Sequence, residues 1–171
     1  MVHPAATTGK TVHSLEDIFD SLVALIERKY NADAEYRDPE LPPLKEVYYG
    51  EPAVIMGTPA VAVKLVNARY EDAPQNAGAD IESEWVIICY GREHGAKPQQ
   101  KESIRMAEII RHIILDNTHL STASGTEQVF QANYGEMEIE FDEYVKSNMD
   151  DLIGVQIAVI KFTAVFAELG Y

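Results

Sequence analysis

The chain has 171 residues, and its 14 Lys and Arg residues stand against 28 Asp and Glu residues, which gives a formal net charge of −14 at pH 7. A chain of this length can bury one core without disulfides or a metal, and the single cysteine, Cys89, excludes an internal disulfide. The negative charge argues against specific nucleic-acid binding, because phosphate contacts depend on Lys and Arg residues that release counterions.

Residues 1–13 have no apolar period and are predicted to form a flexible tail, so that residues 14–171 make up one domain. Neither the tail nor any later stretch has the apolar run of a signal peptide or a membrane span. We therefore expect a soluble protein with no membrane partner.

The first predicted helix begins at Ser14, which is followed three residues later by Asp17, in a close relative of the capping box. Apolar residues then recur on one stripe to about Lys29. Residues 31–46 contain three prolines and have no period, which predicts a connector without helix or strand.

Two strands, or one strand with a kink, are predicted between Tyr48 and Tyr70, with the break at Gly57-Thr58-Pro59. In the second piece one predicted face carries Val61, Val63 and Leu65. The other face is only partly polar and carries Ala62, Lys64, Val66 and Ala68.

The second half of the chain predicts a hairpin loop at 71–80, a central strand at 81–90 that is apolar on both faces, and an amphipathic helix at about 100–116. A second aperiodic connector at 117–131 precedes a strand in which Met137, Ile139 and Phe141 alternate with acidic residues. A turn at 146–151 and a long final strand at 154–168 complete the chain.

These elements predict an α+β fold, with an antiparallel or mixed sheet of about four to five strands and two helices packed on one face. The long connectors and the partly apolar second sheet face favour a homo-oligomer. The candidate contact residues in the connectors are Asp38, Leu41, Leu44, Glu71, Asp72 and Val129.

No motif predicts a catalytic, cofactor or metal site. The string Thr7-Thr8-Gly9-Lys10-Thr11 ends like a phosphate-binding loop but lacks the first glycine and a preceding strand. His94 follows a predicted strand and could act as a general base by position, but the spacing of the sequence connects no nucleophile with it. His112, His119 and Glu108 do not have the compact spacing of zinc ligands. Cys89 lies in the middle of an apolar strand, which favours an inert, buried thiol.

An acidic strip is predicted on one face of a single strand, at Glu136, Glu138, Glu140 and Asp142. Alternate residues on a strand share a face and lie about 7 Å apart. The strip could be solvated, could act electrostatically on a partner or a passing polyanion, or could bind a metal. Calcium is disfavoured, because no glycine-containing loop surrounds these carboxylates.

The order of elements resembles the tail terminator proteins, also called tail-completion proteins, of long-tailed bacteriophages. The shared features are an amphipathic N-terminal helix, an acidic connector with prolines, the strand pair Pro52-Ala53-Val54 and Pro59-Ala60-Val61-Ala62-Val63, a central apolar strand, a second helix and a long final strand. The resemblance is topological and covers roughly residues 14–168.

The resemblance implies a non-enzymatic virion protein that assembles in the host cytoplasm as a hexameric ring. Such a ring caps the tail tube protein, stops its polymerisation and binds the head-tail connector protein. Because genome DNA passes through it, the acidic strip is the candidate channel lining. The alternatives are another head-tail joining or neck protein, a small cytoplasmic binding protein or chaperone, and an enzyme whose site the sequence does not reveal.

Overall fold

The computed structural model describes residues 15–71, 80–94, 100–121, 128–148 and 151–168 as two helices and one mixed sheet that curls as a half-barrel. The elements are α1 (Leu15–Ala32), β1 (Glu46–Tyr49), β2 (Ala60–Glu71), β3 (Asp80–His94), α2 (Gln100–Asp116), β4 (His119–Ser121), β5 (Gln128–Asn148) and β6 (Asp151–Glu168). The strands lie in the order β1-β2-β3-β6-β5-β4, with β1 parallel to β2 and every other neighbouring pair antiparallel. The α+β prediction is confirmed, but the described residues form a sheet of six strands rather than four to five.

Both helices pack on the same face of the sheet, as the periodicity predicts. The acidic first turn of α1 and Lys29 in its last turn complement the helix dipole. The apolar stripe of α1 contacts Trp85 of β3, where the ring of Phe19 lies 5.4 Å from the indole in an edge-on arrangement. The core between helices and sheet contains, among its largest fully buried side chains, Ile18, Leu22, Ile26, Tyr30, Trp85, Met106, Ile110, Ile113, Phe130 and Phe166.

The strand prediction between Tyr48 and Met56 is wrong beyond Tyr49. Gly50 has φ +84°, a left-handed conformation that ends β1 and that residues with a side chain rarely adopt. The segment that follows contributes Ile55 to a second, smaller core on the sheet face away from the helices. This smaller core also contains Ala60, Ala62, Ile88, Tyr90 and Val155.

The predicted connector 117–131 contains two pieces of strand. Residues 119–121 form β4, which pairs with the first residues of β5. The last two strands also pair further than predicted, because the ladder continues from Tyr144↔Val155 to Asn148↔Asp151 through most of the predicted turn. β3 pairs with β6 only as far as Gly154, so residues 151–153 of β6 have only β5 beside them in the described chain. At this end β5 and β6 extend from the sheet as a two-stranded ribbon.

Candidate interaction surface

One face of the sheet carries no helix, and we call it the open face. Trp85, Ile87 and Cys89 of β3 point into the core under the helices. Because successive side chains on a strand alternate, the intervening residues and their ladder partners point to the other side. The open face carries Lys64 and Arg69 of β2, Glu82, Glu84 and Val86 of β3, Lys161 and Thr163 of β6, and Glu136, Glu138, Glu140 and Asp142 of β5.

The smaller core covers one end of the open face, and the remainder is exposed. A shallow groove of about 810 Å³ crosses the exposed part from β2 to β5. Val66 and Val86 contribute its apolar lining, while Glu84, Glu136 and Glu138 contribute carboxylates. The arrangement can therefore contact a partner through both apolar and charged groups.

Carboxylates outnumber cations on the open face. Lys161 Nζ donates a 2.8 Å hydrogen bond to Glu140 Oε2, and this bond raises the pKa of Lys161. Lys64 Nζ lies 3.7 Å from Glu51 Oε2, a long ion pair between two exposed side chains. Both pairs are exposed to solvent, so they contribute little to folding stability.

A bulge at Gly135 sets the direction of the acidic strip. The register of β5 against β6 shifts between Tyr134 and Met137, and both of these side chains pack against the core under the helices. Gly135 and Glu136 occupy the shift. A Cβ at position 135 would lie 2.4 Å from Thr163 Oγ1, so glycine is required for this close approach.

The predicted acidic strip lies on one face of β5 and is exposed, as the alternation indicates. It consists of Glu136, Glu138, Glu140 and Asp142. On the opposite side of the strand Met137 and Ile139 pack against the core, whereas Phe141 is 42% exposed. Alternation does not connect this strip with Lys64, Val66 and Arg69 of β2, because it carries no information on strand order. A register shift between Leu65 and Asn67 also turns Ala68 to the core side, which corrects its predicted face.

The connector residues Leu41 and Leu44 are buried within the chain's own core, at 2% and 7% exposure. Apolar side chains in a connector suggest contact with a partner, but these two are covered by their own chain, so that reason does not apply to them. Asp38 and Glu40 form ion pairs with Arg105 of α2, and these pairs hold the connector against that helix.

The structure describes the other predicted contact residues only in part. Glu71 is exposed at the end of β2. Asp72 lies outside the described residues, and Val129 belongs to the backbone of β5 while its side chain lies outside the description. The phosphate-loop-like string, the predicted tail at 1–13 and the side chain of His94 also lie outside it.

The weaker chemical candidates are dispersed. Within the described residues no group of three or more His, Cys, Asp and Glu side chains is placed to hold a metal ion. His112 and His119 are exposed, on α2 and β4. Cys89 is fully buried, and this burial raises the pKa of its thiol.

Neither helix of the described chain has the length and apolarity to cross a membrane. No family model matches the sequence, and a comparison with curated proteins finds no match.

Proposed function

We propose that this chain is a structural, non-enzymatic subunit of the tail terminator type, which forms a ring at the end of a phage tail tube and joins it to the head-tail connector protein. The observation that carries the proposal is the open face, an exposed and predominantly acidic sheet surface opposite two packed helices. The order of elements along the chain, which resembles that family, agrees with it.

In the proposed ring the open face lines the channel. DNA moving through a ring must not bind its wall, because a few phosphate contacts in each subunit would be multiplied around the ring. Carboxylates repel phosphates over roughly a Debye length of about 8 Å at physiological salt. Glu82 and Glu84 of β3 extend the negative charge of the acidic strip across the face.

End capping is the direct test of the proposal. The purified chain, tagged with gold, is mixed with tubes polymerised from the tail tube protein of the same phage, and the positions of the label are recorded by electron microscopy. We expect label at tube ends and an arrest of further tube growth. Label along the sides of the tubes, or no label on them, would contradict the proposal.

The channel lining is tested by charge reversal on an interior strand. The variant Glu82→Lys, Glu84→Lys should assemble normally, and its rings should bind or retard a short fluorescent DNA duplex at low salt, with binding lost as salt rises. The matched control, Glu27→Lys, Glu108→Lys, makes the same change of charge at exposed helix positions. Equal DNA binding by both variants would show that the open face does not line the channel.

Light scattering after size-exclusion chromatography separates this proposal from a small binding protein, for which the groove on the open face is the supporting observation. A ring favours the terminator type or another head-tail joining protein. A monomer whose melting temperature rises with a small ligand would favour the binding protein instead.

A further inference from the structure

Two strand edges at opposite sides of the sheet have no neighbouring strand among the residues that the structure describes. β1 pairs with β2 only as far as Val63, so residues 64–71 form one edge. β4 pairs with β5 only at residues 128–131, with one further backbone bond from Ala132 to Thr118, so residues 133–141 form the other edge. Such edges present N–H and C=O groups on which another strand can pair.

The strand directions fix how a second copy can use both edges. β2, β3, β6 and β5 are antiparallel at each successive step, so β5 runs opposite to β2. A copy related by rotation about an axis along the strands keeps its strand directions, and its β2 meets β5 of the first copy in antiparallel orientation. Each copy then offers one edge to each neighbour, the head-to-tail contact that closes into a ring.

The charges select this pairing over a symmetric one. The β5 edge carries Glu136, Glu138 and Glu140 on its open-face side, while the β2 edge carries Lys64 and Arg69 on the same side, with Glu71 at its end. Pairing β5 with β5 across a two-fold axis would place the acidic strips side by side, and like charges directly opposite each other destabilise a strand pair.

The ladder also predicts which residues meet. Lys64 pairs with Val86, Val86 with Lys161, and Lys161 with Glu138, so Lys64 and Glu138 lie at the same height on the sheet. A neighbour without axial shift therefore places its Lys64 beside Glu138. A shift of two residues would replace Glu138 by Glu136 or Glu140.

Exposed apolar side chains lie near both edges. Val66 and Tyr70 on β2 are 53% and 55% exposed, and Phe141 on β5 is 42% exposed. A strand added at each edge would reduce the contact of these side chains with water, which favours association.

We propose that a segment of the β5 edge within residues 133–141 binds a segment of the β2 edge within residues 64–71 of a second copy of this chain, antiparallel, with Lys64 beside Glu138 or an acidic neighbour two residues away. The proposal rests on the proposed ring and identifies its subunit contact. It commits to a second copy because the two edges have complementary charge and compatible direction.

Disulfide trapping tests the contact in the full chain. Lys64→Cys is combined in turn with Glu136→Cys, Glu138→Cys and Glu140→Cys, and each variant is oxidised and run on a non-reducing gel. Within one copy the two positions are separated by three strand spacings, roughly 14 Å, too far for a disulfide. Cys89 remains in place because it is fully buried.

We expect at least one pair to give a ladder of dimers, trimers and larger species, and the single-cysteine controls to give none. Dimers from Glu138→Cys alone would indicate a two-fold contact and overturn the proposal. The absence of a ladder from all three pairs would overturn it as well.

A charge exchange supplies an independent readout. Glu138→Lys or Lys64→Glu alone should weaken self-association by about tenfold, and the combined variant should restore it. Glu108→Lys, an exposed change on α2, is the matched control and should assemble as the unmodified chain does. Failure of the combined variant to recover assembly would contradict the pairing.

The outcomes separate this contact from the proposed function. Ladders and charge rescue without end capping would support the contact and contradict the tail terminator role. End capping by rings that form neither ladder nor charge rescue would support the role and overturn the contact.

Discussion

Gly135 offers a test of the bulge that orients the acidic strip. The structure predicts that Gly135→Ala destabilises the chain when residue 163 is threonine and stabilises it when residue 163 is alanine. In Gly135→Ala the new Cβ would lie 2.4 Å from Thr163 Oγ1, closer than real Cβ contacts allow. Thr163 is β-branched and stiff at χ1, so relief requires movement of a strand or of the side chain. We expect a loss of about 1–3 kcal/mol in the free energy of unfolding, the usual cost of overpacking.

Removing the Thr163 hydroxyl should abolish the loss of stability that Gly135→Ala causes. With Thr163→Ala in place, the remaining contacts of the new Cβ are the carbonyl oxygen and Cβ of residue 163, at 3.4 Å and 3.8 Å. These are ordinary van der Waals distances. Alanine also restricts the unfolded chain more than glycine does, so Gly135→Ala should stabilise this background by about 0.4–1 kcal/mol.

The measurement is urea unfolding of the unmodified chain, the two single variants and the double variant, followed by tryptophan fluorescence at a fixed protein concentration. Midpoints should move while the slope stays constant, since both positions are exposed in the folded chain. The coupling between the two changes should be at least about 1 kcal/mol. Equal effects of Gly135→Ala in both backgrounds would refute the close approach to Thr163 as the reason for glycine.

Three further predictions concern the core and the connector, each measured by chemical unfolding. Leu41→Ala should lower the free energy of unfolding by about 2–5 kcal/mol, because it leaves a cavity at a side chain that is 2% exposed. The control Pro43→Ala, at an exposed position, should change it by less than about 0.5 kcal/mol. Equal small effects of the two variants would contradict the burial of the connector. Tyr30→Phe should raise stability by about 1 kcal/mol, since it removes a buried hydroxyl that has no hydrogen-bond partner in the described chain, and a clear loss would indicate a partner. Desolvation, together with a 3.0 Å hydrogen bond from its hydroxyl to Asp116, raises the pKa of Tyr36 to about 12, above the value of about 10 in unfolded chains. The contribution of the Tyr36 hydroxyl to folding stability is therefore complete below pH 10 and is lost as the pH rises to 12. Tyr36→Phe should reduce the loss of stability in this window, and an unchanged pH profile would contradict the assignment.

The sequence by itself determined the elements whose signal is local. The amphipathic stripes predicted both helices to within a few residues, because a helix brings residues three and four apart onto one face whatever the rest of the chain does. Strict alternation likewise predicted that Glu136, Glu138 and Glu140 share an exposed face of one strand. The buried thiol of Cys89 followed from its apolar strand.

Only the tertiary structure decided which strands are neighbours and where their registers shift. A shift of one residue exchanges the two faces of a strand, and the shifts at Leu65/Asn67 and Tyr134/Met137 arise from pairing with other strands, which no local period records. The apolar character of Leu41 and Leu44 predicted burial, but a side chain's hydrophobicity does not say whether its own core or another subunit covers it. Strand order and register also place Lys64 and Glu138 at the same height on opposite edges of the sheet, because strands far apart in sequence are aligned only through long-range pairing.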